Sequence, residues 1–326
     1  MAKPAHISKR HHYVPKVYLR GFAKDEKFIN VVPLDSKRRG FLASLDKIAL
    51  ENDYNTLTSP AIFERADEAE HQLNTIETSA APIIRKIRER DFKLNFEERE
   101  HLSRFISIQA HRGPNVRANH EKFLDAVTVQ SAGMSGPDEL EEFVRSYMGA
   151  NYPEFNAELV WENLKDPNFD IKNDLRLQHL QNTFISAEAE VPFLIGREWT
   201  FFYFERKKLI TSDSPLSMFA PDEPIEKANT TLRGAEALLF PLSRSVALHL
   251  GRLHGFNCHG SEEEIYRQVG DLSKTADGEF DRVLAGTSHL ANQFNVMTAF
   301  FAEREVFRHP DDSQLDALIF KSARRS

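Results

Sequence analysis

Four polar clusters in this chain carry the residue types that acid–base and anion chemistry need. The first is Lys9-Arg10-His11-His12-Tyr13-Val14-Pro15-Lys16-Val17-Tyr18-Leu19-Arg20-Gly21-Phe22, which sets two imidazoles among cations and aromatics. Histidine ordinarily titrates near neutrality, so His11 or His12 is a candidate general acid or base. The second is Thr211-Ser212-Asp213-Ser214-Pro215 at the end of an apolar run. There Asp213 could orient the histidine or activate water, and Thr211 and Ser212 could hydrogen-bond a substrate. The same residues also make ordinary Asx and Ser/Thr turns. The third, Pro241-Leu242-Ser243-Arg244, offers the Ser243 hydroxyl or is simply a hairpin turn. The fourth is Gln109 with Arg112, in line with the apolar face of a helix. An inward arginine needs an anionic partner; Glu77, Asp213 or a bound phosphate or carboxylate could each supply it.

The elements that must hold these clusters follow from periodicity and from proline. Pro15 disfavours helix for Val14, so 11–14 should be extended, with a short helix from Pro15 to Arg20 and Gly21 as its stop. In an extended segment His11 and His12 point to opposite sides, so one enters the site and the other packs. The run Phe28–Pro33 reads as a strand and Phe41–Leu50 as a short helix. Apolar residues at three-and-four spacing predict a helix over 60–90, with Glu70 and Glu77 two turns apart at the edge of the stripe. A second helix, from Phe96 to about Leu124, should kink at Gly113-Pro114. Further helices are expected near 138–149, 156–165 and 174–190. Glu198–Glu205 and Lys208–Thr211 read as a hairpin turning at Arg206-Lys207, and 238–242 pairs with 245–250. Helix returns at 262–269 and 277–305. Asn292 and Asn295 could add amide hydrogen bonds.

These elements predict an α+β fold: a small antiparallel sheet packed with helices and a large inserted helical block. The segments 1–59, 60–195 and 196–320 would form one integrated domain.

Composition narrows the function classes. Hydrophobic content of 41% and charged content of 28% are those of an ordinary globular chain. No run reaches the roughly 18 apolar residues of a membrane span, and the N-terminal residues lack the apolar stretch of a secretory signal, so a cytoplasmic protein with no membrane partner is expected. One cysteine, Cys258, excludes an internal disulfide and a cysteine-rich zinc site. Net charge is −7, yet the first forty residues are basic, which suits a local anion site or a solvated arm. Gly-rich phosphate loops, nucleophile elbows and helical zinc motifs are absent. The spacing of Arg104 to His111 and of Arg304 to His309 matches a helical ribonuclease motif that chance alone supplies in a chain this rich in both residues. No cofactor or metal is expected.

Taken in order, His11-His12-Tyr13-x-Pro15-x-x-Tyr18-Leu19-x-x-Phe22, Asn52-Asp53-Tyr54, Ile76-Glu77, Gln109-x-x-Arg112-x-Pro114, Ile210-Thr211-Ser212-Asp213-x-Pro215 and Phe240-Pro241-Leu242-Ser243 resemble a mainly bacterial family of unknown function. That family has an HHYxP-type start and a TSDxP-type centre. Here Gly113 precedes the proline where a small hydroxyl residue would be expected. The resemblance implies that one unit holds all the motifs, and so favours one shared pocket. The expected activity is metal-independent hydrolysis or elimination on nucleic acid or a nucleotide, with phage defence as a setting by analogy. His11 or His12 and Asp213 would act on protons. Arg112, Gln109, Thr211, Ser212, Ser243 and Glu77 would bind substrate, and Tyr13, Tyr18 and Tyr54 could stack on a base. A non-catalytic nucleotide or anion sensor and a purely structural polar network are the alternatives. The oligomeric state is left open.

Overall fold

The computed structural model describes residues 10–35, 39–52, 68–148, 156–165, 171–219, 232–253 and 262–323. Among these residues the architecture is α+β, with two sheets, a separate two-stranded ribbon and ten helices. The ribbon pairs β1 (Arg10–His12) with β4 (Leu50–Asn52), antiparallel, with His11 opposite Glu51 and His12 opposite Leu50. Between them come α1 (Lys16–Leu19), β2 (Phe28–Pro33), β3 (Phe41–Ser44) and a 3-10 turn at Leu45–Lys47. The stretch 41–50, expected as helix, is thus strand, turn and strand. β3 gains its backbone partners from β2, a pairing that local periodicity does not encode.

Two long helices back this ribbon. α2 (Glu68–Arg88) buries Ala69, Leu73, Ala80, Ile83 and Ile87, the predicted stripe. α3 (Phe96–His111) starts in a capping box, in which Asn95 accepts from Glu98 N and Glu98 accepts from Asn95 N. The expected kink at Gly113-Pro114 is a full break. Gly113 caps a new helix, α4 (Pro114–Ser131), and Pro114 takes its first position, where a missing N–H costs nothing. α4, α5 (Pro137–Met148) and α6 (Ala157–Leu164) share a small core of Phe123, Val127, Leu140, Val144 and Val160. α7 (Ile171–Ile195) then returns along α3.

The remaining strands are β5 (Arg197–Tyr203), β6 (Thr211–Ser212), β7 (Ser217–Phe219), β8 (Ala237–Ser243), β9 (Val246–Leu253), β10 (Arg282–Ala285) and β11 (Glu305–Arg308). They build a five-stranded sheet ordered β10-β5-β9-β8-β7 and a four-stranded sheet ordered β3-β2-β11-β6. The expected hairpin at Arg206-Lys207 does not form: β5 and β6 fall in different sheets, because β6 pairs with β11. The expected helix over 277–305 is β10, parallel to β5, followed by α9 (Ser288–Phe301). α8 (Glu262–Ala276) and α10 (Asp316–Ser322) complete the chain. One core gathers Tyr18 and Phe22, Ile83, Phe105, Trp199 and Phe240, residues drawn from the N-terminal segment, the helices and the sheet. Among the described residues no helix is long and apolar enough to cross a membrane.

Candidate active site

Pro15 keeps an extended backbone (φ −62°, ψ 140°), so only the short link 13–15 separates β1 from α1. That junction forms one wall of an open cavity of about 610 Å³. Both His11 and His12 line it, where the alternation of an extended segment suggested only one. On one side buried His11 places Nδ1 3.6 Å from Glu70 Oε2 of α2. On the other, His12 lies by the 3-10 turn, within the fields of Asp46 and Lys16 and bonded to the Ile48 carbonyl.

Opposite β1, α2 presents Glu70, Asn74, Glu77 and Thr78 at spacings that share one helical face. Pro82 lies inside α2 and has no amide hydrogen to give the carbonyl of Thr78, one turn earlier. α1 contributes Lys16, and the 3-10 turn that follows contributes Arg20, one turn further on; both are exposed. Lys16 Nζ lies 2.9 Å from Asp46 Oδ1, and the Lys16 hydrogen bond and charge hold Asp46 below the usual carboxylate range.

Arg112 sits at the break between α3 and α4 and is buried. Its Nη1 donates to Glu77 Oε1 at 2.8 Å, and its Nη2 donates to the His12 carbonyl. Of the partners open to it, therefore, Glu77 is the one it meets, and the guanidinium ties α2 to β1. Burial, followed by the charges of Lys16 and Arg112, pushes the His12 imidazole down to about 4. The ring is therefore neutral around pH 7. Its Nδ1 is buried and accepts or donates no hydrogen bond among the described residues.

The TSDxP cluster lies apart from this cavity. Asp213 is buried, and its Oδ1 accepts from Glu303 N at 2.9 Å while Oδ2 accepts from Arg304 N at 2.7 Å and Glu305 N at 3.1 Å. It fastens β6 to the start of β11. Burial raises its carboxyl to about 6, against the pull of those three amides. Thr211 Oγ1 meets Tyr18 Oη at 2.7 Å, and that phenol donates to the Pro241 carbonyl at 2.6 Å. The Tyr18 proton is thus committed to Pro241, and Thr211 is the donor in the first bond. Ser212 Oγ donates to the Ser214 carbonyl, and Ser243 Oγ accepts from Ser245 N; both are turn chemistry. None of Asp213, Thr211, Ser212 and Ser243 lines the cavity, and each has its hydrogen bonds taken within the protein.

The other predicted residues divide in the same way. Gln109 is buried off the cavity, with no hydrogen-bond partner for its Nε2 among the described residues. Tyr13 packs in the core, and Tyr54 lies outside the described residues. Asn295 bridges Ile210 N and the Lys208 carbonyl. Arg104 pairs with Glu100 and Glu188, and His111 with Glu190, so the ribonuclease-like spacing holds helices together. The residues that sequence reasoning undervalued are Lys16, Arg20, Asp46, Asn74 and Glu70. The shared face of Glu70, Asn74, Glu77 and Thr78 was the available signal.

Gly21 was expected to stop a helix. Instead a 3-10 turn, Arg20–Phe22, runs through it. Its carbonyl accepts from Arg244 N at 2.8 Å, and a Cβ there would lie 2.8 Å from the Leu242 carbonyl oxygen. The glycine is needed for close approach of the site segment to β8.

Among the described residues no group of three or more His, Cys, Asp or Glu side chains is arranged to hold a metal ion. The fold and cavity define an α+β protein with a charged, open site carried on an N-terminal ribbon and helix turn. The chain belongs to the family described as "Protein of unknown function (DUF4238)", whose profile matches residues 10–312. No curated protein and no solved structure matches it.

Proposed function

We propose that this cavity is the active site of a metal-independent hydrolase or lyase acting on a phosphate-bearing substrate, with nucleotides or nucleic acid as the class. One observation carries the reading: His11 and His12, the carboxylates Glu70 and Glu77, and the cations Lys16 and Arg20 line a single open cavity. In hydrolysis one water is consumed. His12, neutral in the free protein, takes the water proton, and His11, held beside Glu70, gives a proton to the leaving group. An arriving phosphate offsets the charge of Lys16, one cause of the low His12 pKa, and so makes His12 a stronger base once substrate is bound. Arg112 acts here as a positioning residue, through Glu77 and the β1 backbone. Asp213 contributes through the fold.

The test is turnover by the purified chain against nucleotides, single-stranded oligonucleotides and abasic or N-glycosidic substrates. His12→Ala and His11→Ala are each expected to lower the rate by about a hundredfold or more. A rate untouched by both substitutions would sink the reading. A second reading, an anion sensor without chemistry, draws on Arg112 and Asp213 being held by protein partners. It predicts phosphate binding that depends on Lys16, with no turnover of any substrate.

A further inference from the structure

We infer that the cavity reads a single terminal sugar monophosphate unit, phosphate against α1 and sugar hydroxyls against α2; this deepens, and rests on, the activity proposed above. The cavity is polarised, with the charge tempered at each end by Asp46 beside Lys16 and by Arg112 beside Glu77. The exposed cations Lys16 and Arg20 come from α1 and from the 3-10 turn that continues it. The facing surface of α2 offers acceptors: the Glu70 carboxylate, the Asn74 amide oxygen, the Thr78 hydroxyl, and the Glu77 carboxylate that Arg112 steadies. Ionised carboxylates accept hydrogen bonds and donate none, so a complementary ligand brings O–H or N–H groups to α2 and an anion to α1.

A second phosphate would fall against the Glu70 carboxylate and a Glu77 already paired with Arg112, which disfavours di- and triphosphates and the interior of a polynucleotide. A volume of about 610 Å³ also lies within the range of small-molecule sites. Vicinal hydroxyls of a ribose answer the paired acceptors at Glu70 and Asn74, one helical turn apart.

The experiment is calorimetric titration of the full chain with three probes: inorganic phosphate, ribose 5-phosphate and ribose. Ribose 5-phosphate should bind about tenfold or more tighter than phosphate, the gain expected from hydrogen bonds to a charged acceptor. Glu70→Ala with Asn74→Ala should erase that preference and leave phosphate affinity in place, while Lys16→Gln should weaken both phosphorylated probes. Neither α2 side chain is fully buried, and Asn74→Leu alone, expected to halve or better the preference, guards against a folding loss in the double variant. Equal affinity for phosphate and ribose 5-phosphate, or a preference that survives the double variant, overturns the two-ended reading and leaves the proposed activity standing. Absence of phosphate binding, with Lys16→Gln changing nothing, overturns both.

Discussion

The cavity beside β1 and the Asp213 cluster between β6 and β11 are built from the same kinds of residue, yet they are finished differently. At Asp213 every carboxylate oxygen meets a backbone amide within the protein, and the group is 1% exposed. At the cavity the groups are left half-wet: Lys16 is 44% exposed, Glu70 28%, and His12 Nδ1 is without a partner among the described residues. A polar side chain whose bonds are all taken by backbone is holding loops; one that faces a void with capacity left is placed for something that comes and goes. Arg112 stands between the two kinds, lining the void while its guanidinium is engaged by Glu77 and β1.

Asp213→Ala should show the sharpest contrast. It leaves three part-buried amides without their acceptor, and about 3–5 kcal/mol of stability should vanish in urea unfolding. Lys16→Gln should stay within about 0.5 kcal/mol of the parent in the same measurement. If the order were reversed, the division between a structural and a functional cluster would collapse. Arg112→Met comes next. It leaves Glu77 without its cation and β1 without a tether, for a loss of roughly 3 kcal/mol. Phosphate titration of whatever fraction remains folded then tells whether the arginine acts only through position.

Smaller in energy is the pH response. His12 titrates near 4 in the folded chain and near 6.5 when unfolded. Between those values the unfolded chain binds more protons, so stability rises with pH and falls on acidification through that window. His12→Gln should flatten the slope, and the His12 Cε1–H resonance should move its midpoint upward when phosphate is added. A midpoint that stays put would separate His12 from the anion. Least of all, Asp46→Asn frees Lys16 from an exposed pair worth about 0–1 kcal/mol, so phosphate should bind at most a few-fold tighter. Weaker binding in that variant would mean that Asp46 helps the ligand.

Much of this was visible in the chain before folding. The stripe of α2, the boundaries of β2, the extended-then-helical turn around Pro15 and the α+β class all follow from local patterns. So did the pairing of Glu77 with Arg112, as one of several options. What local pattern could not supply was which strand meets which. The two-residue β6 is a strand only because β11 lies beside it, and β3 only because of β2. The same blindness joined Asp213 to the histidines: the motif order says that the residues belong to one unit, and the unit uses some of them as fastenings. Distinguishing these needed the partners of each oxygen, which become known only when residues some ninety apart in sequence, such as 213 and 303–305, are brought together.

The close contact at Gly21 gives the cavity a hinge point defined by an absent carbon. Lys16 and Arg20 reach the cavity from a single helical turn, and the backbone just after that turn lies flat on β8 because no side chain intervenes. Any added carbon would act as a shim. It would shift the cationic wall off β8 while leaving every charge in the sequence untouched, so the gap across which a two-ended ligand must fit is gauged by the sheet, one residue beyond the cations themselves.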